Sequence, residues 1–325
     1  MTDELLKLAV VVPCYNEEEV LPETAKRLKK KINRLVSEKL ISEKSGIVFV
    51  DDGSKDKTWE LISAYHEENP VLFGGIKLSK NRGHQNALLC GLLTIKDHCD
   101  VTISIDADLQ DDIEIFDNMI KKHINEGCEI VYGVRSERKT DTAFKRITAQ
   151  GFYSIMRLLG VDIVYNHADF RLMGKMSLNA LCEYREVNLF LRGIIPLLGF
   201  KTGVEYYARL ERFAGTSKYP LKKMLAFSFQ GITSFSTRPI RFITNLGGMI
   251  FSISIIMIIY FFVRHFTGHT VTGWSSTIVS LWAIGGLILF SIGVVGEYIG
   301  KIYLEAKQRP RYQIEQFLYN TGNIE

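Results

Sequence analysis

The run Ser104-Ile105-Asp106-Ala107-Asp108-Leu109-Gln110-Asp111-Asp112 holds the side chains best suited to chemistry. Asp106, Asp108 and Gln110 alternate just where the apolar stretch 101–105 ends. Alternate residues of a strand point the same way, so both carboxylates are expected to face one small volume at a strand's carboxyl end. Two acids held that close repel each other unless a cation lies between them. Oxygen ligands in a partly open site suit Mg2+ or Mn2+ shared between the protein and a substrate diphosphate. The same residues also suit a plain polar strand-to-helix turn in which Asp111 or Asp112 caps the next helix.

The elements that must position this run follow from the pattern around it. Residues 8–13 and 47–51 are short, Val-rich apolar runs that each end in a polar turn. Such runs suit strands buried on both faces of a parallel sheet. Stretches 75–78, 101–105 and 130–134 continue the series, and helical patterns over 18–38, 57–67, 85–96 and 113–126 separate them. Alternating strand and helix predicts a doubly wound α/β sheet, whose ligands bind beyond the carboxyl ends of the strands. The polar motifs Pro13-Cys14-Tyr15-Asn16-Glu17, Asp51-Asp52-Gly53-Ser54, Asn81-Arg82-Gly83-His84 and the acidic run all fall at those ends. No GxGxxG follows the first strand and no GxxxxGK[ST] occurs, which disfavours a dinucleotide fold and a P-loop NTPase. Carboxylates, an amide and an aromatic ring at neighbouring strand ends describe a nucleotide-diphosphate site working through metal-bound oxygens.

Bulk properties narrow the class. A 325-residue chain of net charge +4 and 46% hydrophobic residues is neither disordered nor a basic nucleic-acid-binding domain. Its five scattered cysteines form no metal-ligand spacing and point to a reducing compartment. Residues 1–7 are short and charged, unlike a signal peptide. Stretches 242–263 and 271–296 carry no charged residue, and each is long enough for a helix of about 20 residues spanning a bilayer. Lys222, Lys223, Arg238 and Arg241 precede the first stretch; Lys301, Lys307, Arg309 and Arg311 follow the second; only Arg264 lies between. Cations stay on the cytoplasmic side, so a two-helix hairpin with both ends inside the cell is expected. Segment 218–240 mixes cations, aromatics and aliphatics and suits either a helix on the membrane surface or one packed on the soluble domain.

Many motifs in this order resemble family 2 glycosyltransferases of the GT-A fold, and among them the membrane-anchored polyprenyl-phosphate hexosyltransferases, bactoprenol glucosyltransferases most of all. They include VVPCYNEEE (11–19), VDDGSKD (50–56), SKNRGHQNALLCGL (79–92), DADLQDD (106–112), YGVRSER (132–138), FKRITAQGFY (144–153), HADFRLM (167–173), NLFLRGI (188–194), ERFAGTSKY (211–219), GITSFSTRPIR (231–241) and GEYIGKIYLEAKQRPRY (296–312). The resemblance implies a GT-A catalytic domain over 1–215, with a mixed, mainly parallel sheet. A juxtamembrane segment (216–241), transmembrane helices (about 242–264 and 275–297) and a cytoplasmic tail (300–325) follow.

The resemblance also implies roles. Pro13, Tyr15, Glu17, Asp52 and Asp106 would contact the nucleotide; Asp106, Asp108 and Gln110 would hold Mg2+ or Mn2+ and the diphosphate. Arg135, Lys145 and Arg146 would grip the acceptor phosphate, and Asp169 would sit by the reacting centre, as base or as positioning group. Arg192 would close over the diphosphate or cap a helix, and Asp169 would serve the chemistry or form a salt bridge with Arg171. His84 stands where some relatives have Lys, and a neutral imidazole would not replace that charge. The activity implied is inverting, metal-dependent transfer of a hexose to undecaprenyl or another polyprenyl phosphate, with glucose from UDP-glucose as the first expectation. The setting implied is the cytoplasmic face of the plasma (inner) membrane, with a multi-pass anchor and a homo-oligomer, a tetramer included. Nucleic acid is not an expected partner. The alternatives are a mannosyl- or aminosugar transferase of the same fold and a non-catalytic membrane scaffold, which would have no use for paired carboxylates. A processive synthase would need more spans and a QxxRW motif.

Overall fold

Five of the eight strands among the described residues are the apolar runs read from the sequence. The structure is a computed structural model that describes residues 5–136, 167–187, 189–208 and 274–320, with isolated helical positions between 240 and 256. The expected strands are β1 (Leu8–Cys14), β2 (Gly46–Asp51), β3 (Phe73–Leu78), β4 (Val101–Ser104) and β5 (Ile130–Arg135). Three more join them: β6 (His167–Gly174), β7 (Thr202–Tyr207) and β8 (Ile314–Leu318). The sheet runs β7-β5-β6-β4-β1-β2-β3-β8. β1 pairs parallel with β2 and β4, β2 with β3, and β5 with β7; β6 and β8 pair antiparallel with their neighbours. This is the mixed, mainly parallel sheet expected.

Helices α1 (Leu21–Ser37), α2 (Thr58–Glu68), α3 (His84–Ile95) and α4 (Phe116–Glu126) alternate with the first strands, and α5 (Lys175–Glu183) and α6 (Leu191–Leu197) follow β6. Pro22 sits in the first turn of α1, where its missing N–H costs nothing. Gly91 lets α3 lie directly on the sheet, because a Cβ there would come within 2.4 Å of Val11 and 2.7 Å of Val50. The core beneath is aliphatic, with Val10, Val12, Ile47, Phe49, Ile103 and Leu172 buried. Away from the strand ends, Lys31 of α1 is buried and reaches Asp117 at 2.7 Å and Glu114 at 3.0 Å. That ion cluster ties α1 to the start of α4.

Two details differ from expectation. β4 stops at Ser104, so Asp106 and Asp108 do not alternate along a strand. They lie in a turn in which Leu109 takes a left-handed backbone (φ 56°), and that turn, not the pleat, gathers the acids. The helix expected from Ile113 begins as a single 3-10 turn, Ile113–Ile115, capped by the Asp112 carboxylate accepting from the Glu114 N–H at 2.9 Å.

The chain forms two units. One holds the sheet and comprises Met1–Gln150, Ile163–Tyr219 and Arg309–Glu325; the other comprises Gly151–Asp162 and Pro220–Gln308. The second contains α7 (Trp274–Lys307), whose part Ile284–Lys307 is long and apolar enough to cross a bilayer, with none of its most apolar stretch buried in protein. Most of the expected first span, nearly all of segment 216–241, and Lys145 and Arg146 lie outside the described residues.

Candidate active site

The site is built from loops at the carboxyl ends of β1, β2, β3 and β4, joined by β6. After β1, Asn16 adopts a left-handed backbone (φ 52°), and its N–H donates to Ser54 Oγ at 2.9 Å. The Glu17 N–H donates to Thr58 Oγ1 at 2.9 Å, and the Lys55 N–H donates to Asn16 Oδ1 at 2.9 Å. The first two loops are thus latched together. Pro13 lies on β1 opposite Val50, and the Tyr15 ring is partly open to solvent.

Asp52 hangs the third loop on the second. Its two carboxylate oxygens accept from the Arg82 N–H at 2.7 Å and the Gly83 N–H at 2.8 Å. Burial raises its pKa, and those two donors pull it back. Gly53 makes this approach possible: its backbone is left-handed (φ 66°), and a Cβ would strike the Lys80–Asn81 backbone at 2.7 Å. Neighbouring Asp51 is buried, accepts from the Ser54 N–H at 3.1 Å and leaves Oδ2 without a partner; burial raises its pKa too.

The acidic turn follows β4. Asp108 Oδ1 accepts from the Gln110 N–H at 3.2 Å, which tightens the turn. Burial pushes the Asp106 pKa up to about 6, with repulsion from Asp111, Asp169 and Asp108 adding to it and His84 opposing it. Four acids therefore share a small region; Arg135 engages Asp111, Arg171 and Arg192 engage Asp169, and Asp106 is met by His84. Among the described residues no three His, Cys, Asp or Glu side chains are arranged to enclose an ion. Asp106, Asp108 and Gln110 supply a partial set of hard oxygens, which fits Mg2+ or Mn2+ completing its shell on substrate phosphates.

His84, at the start of α3, stands between two of these acids. Its Nε2 is 3.5 Å from Asp106 Oδ1 and 3.4 Å from Asp169 Oδ2. Burial favours the neutral ring, yet Asp106 and Asp169 outweigh it and lift the pKa to about 9. The imidazole is therefore a cation at neutral pH, which corrects the expectation of a neutral ring. The sequence signal was absent, because only the fold brings both carboxylates to it.

Asp169 is the hub of the remaining cations. Its carboxylate, buried on β6, accepts from Arg171 Nη2 at 2.5 Å. Arg192, from the first turn of α6, straddles it with Nε to Oδ1 at 3.3 Å and Nη2 to Oδ2 at 3.2 Å. Ser104 Oγ donates to the Asp169 carbonyl at 2.5 Å, pinning β6 beside the acidic turn. Gln85, unnoticed in the sequence, accepts from the Leu191 N–H at 3.1 Å and fixes the start of α6 beside α3. Burial alone would raise the Asp169 pKa; Arg192, His84 and Arg171 hold it well below the usual carboxylate range. The salt bridge weighed for Asp169 and Arg171 is present, and Arg192 turns toward the same acid.

The expected acceptor cations are only partly in view. Arg135, at the end of β5, donates from Nη2 to Asp111 Oδ1 at 3.1 Å and from Nε to Tyr207 Oη at 3.1 Å. Lys145 and Arg146 lie outside the described residues. Asp111 and Tyr207 went unassigned in the sequence, since nothing local links a loop residue to the last residue of a distant edge strand.

Comparison with known proteins agrees with this geometry. Residues 9–182 match the glycosyl transferase family 2 model, and residues 238–302 match the GtrB C-terminal hairpin. The chain is 57% identical to the uncharacterized glycosyltransferase YkoT of Bacillus subtilis (strain 168), over 96% of this chain and 92% of that one. It is 39% identical to the bactoprenol glucosyl transferase of Shigella phage SfX, over 95% and 99%. It is 38% identical to the prophage bactoprenol glucosyl transferase homolog of Escherichia coli (strain K12), over 96% and 99%. With more than half its length inside the family model and relatives matched end to end, this glycosyltransferase belongs to glycosyl transferase family 2.

Proposed function

We propose that this enzyme catalyses inverting transfer of a hexose, glucose from UDP-glucose, to a polyprenyl phosphate such as undecaprenyl phosphate. The observation that carries the donor half is the turn at Asp106–Gln110, where Asp106 keeps a raised pKa beside Asp108 and Asp111, lying beyond the parallel strands and beside the latched loops of Pro13–Glu17 and Asp52. The acceptor half is supported by relatives named as bactoprenol glucosyl transferases or their homologs, 38–39% identical over nearly the whole chain.

The residues divide the labour. Pro13, Tyr15, Glu17 and Asp52 frame the base and ribose. Asp106, Asp108 and Gln110 hold the divalent ion, Mg2+ or Mn2+. When bound, that ion neutralises charge developing on the departing nucleotide. Asp169 is not a general base: both its oxygens are engaged by cations, and its pKa lies far below that of an effective proton acceptor. None is required, because a phosphate monoester has its second pKa near about 6 and is already largely a dianion at neutral pH. Asp169 instead aims Arg192 and keeps His84 charged. Arg135, Lys145 and Arg146 receive the acceptor phosphate, where guanidinium forks suit its oxygens.

The hairpin match at 238–302 and the apolar helix Ile284–Lys307 support a membrane anchor. Flanking cations favour two spans with the catalytic domain on the cytoplasmic face, where a lipid phosphate is met at the headgroup level. Self-association, up to a tetramer, belongs to the same reading. The test is transfer of radiolabel from UDP-glucose to undecaprenyl phosphate by purified full-length protein, with and without chelator, beside a panel of other nucleotide sugars. Label entering the lipid fraction only without chelator is the expected result. Transfer unaffected by chelator would overturn the metal role, and preference for another sugar would overturn glucose.

A further inference from the structure

Asp111 has partners on two strands distant from it in the chain. It is 2% exposed, directly follows Gln110, and its Oδ1 accepts from both Arg135 of β5 and the hydroxyl of Tyr207 at the end of β7. Tyr207 is itself 3% exposed, packs edge-on against Phe170 of β6 and receives the Arg135 Nε bond. The strand ends are fastened independently as well: the Ser136 N–H and hydroxyl both donate to the Tyr207 carbonyl, at 2.9 and 3.0 Å. Among the described residues, Asp111 Oδ2 is buried without a partner, and the carboxylate is held through Oδ1, which bears two donors. A buried acid that leaves one oxygen unsatisfied costs stability. The rigidity it lends to the residues beside it is the compensating gain.

We propose that Asp111 is a positioning residue, tethering the Asp106–Gln110 turn to β5 and β7 through Arg135 and Tyr207 so that the turn's oxygens are preset for a divalent cation. The proposal rests on the metal-dependent reading above and adds to it Asp111 and Tyr207, which touch neither ion nor substrate. Leu109, two positions before Asp111, already holds a left-handed backbone that such an anchor maintains. Outer contacts that orient ligands have large effects on metal affinity.

Full-length protein in detergent, with UDP present, would be titrated with Mn2+ while the free-ion electron paramagnetic resonance signal is followed. Thermal midpoints would be recorded on the same samples. Asp111→Asn is expected to weaken Mn2+ binding about tenfold. Tyr207→Phe, which removes a tether without changing charge, is expected to weaken it by a smaller but measurable factor. Asp112→Asn, removing the same charge one residue further on, is expected to leave it unchanged. Tyr207→Phe binding Mn2+ like the parent would overturn the proposal, whether or not its midpoint falls, and so would an equal loss in Asp112→Asn. If the parent itself bound no Mn2+ with UDP, the metal reading would fail first, and this inference with it.

Discussion

Two clusters of charge in this protein use the same residue types and come to opposite ends. At the α1–α4 contact, Lys31 is buried between Asp117 and Glu114, and Arg34 bonds both acids from the solvent side. Burial would raise the Asp117 pKa, but Lys31 and Arg34 hold it below the usual value. At the strand ends, Arg135 is taken by Asp111 and Arg171 and Arg192 by Asp169, while Asp106 is met by the His84 imidazole at 3.5 Å, and its pKa rises to about 6. The first cluster lowers the Asp117 pKa and holds helices together. In the second the arginines are spent on Asp111 and Asp169, and Asp106 keeps a raised pKa that a divalent cation would offset. Which acid each cation engages, more than the mere presence of acids, separates the two clusters.

That contrast is broken most severely at Asp108. Asp108→Ala should lower kcat by at least about a thousandfold, the scale of losing a preorganised electrostatic group, with an unchanged melting profile. A folded variant retaining full chelator-sensitive transfer would remove Asp108 from the site. Asp169→Asn is expected to hurt both function and fold. Arg171 is 1% exposed and would lose its anion, so stability should fall by about 3 kcal/mol in denaturant titration. A variant as stable as the parent would show that the buried guanidinium does not depend on Asp169.

Lys31→Met sharpens the opposite side. It keeps the apolar stem but leaves Asp117 less balanced, costing about 2 kcal/mol, with transfer per folded molecule unchanged. Loss of specific activity at full folding would join the two clusters functionally. The smallest effect concerns pH. The His84 pKa is raised to about 9 from 6.5, so its stabilising charge is fully present below 6.5 and is lost as pH rises through about 9. With its side chain 40% exposed, screening trims this to about 1 kcal/mol in the metal-free protein. His84→Gln should flatten the decline over that window. Equal decline in both proteins would show that the imidazole is not the titrating group.

Legibility followed the range of the forces involved. β1 to β5 were readable because burial on both faces of a parallel sheet demands an unbroken apolar run, and 8–13 and 47–51 have one. β6 was not, because Asp169 and Arg171 sit in its middle and look like a loop until each is seen to neutralise the other. β8 escaped notice for a different reason. Glu315 and Gln316 mark an edge strand, and they reach Lys77 on β3 and Trp59 on α2, more than two hundred residues earlier in the chain. Asp106 and Asp108 were singled out from type and spacing and Asp52 from the family resemblance, but the turn that gathers the first two was not expected.

The linear order of residues was enough for the sheet's class, the acidic run beyond a strand end, the apolar C-terminal stretches and the family, since each is written in local pattern or in motif order. Tertiary structure alone decided the charge state of His84, the engagement of Asp169 by three cations and the tether from Asp111 to Tyr207. Those are sums of Coulomb terms and hydrogen bonds between groups far apart in the chain. They become strong only when folding brings the groups within a few ångströms and removes the water between them.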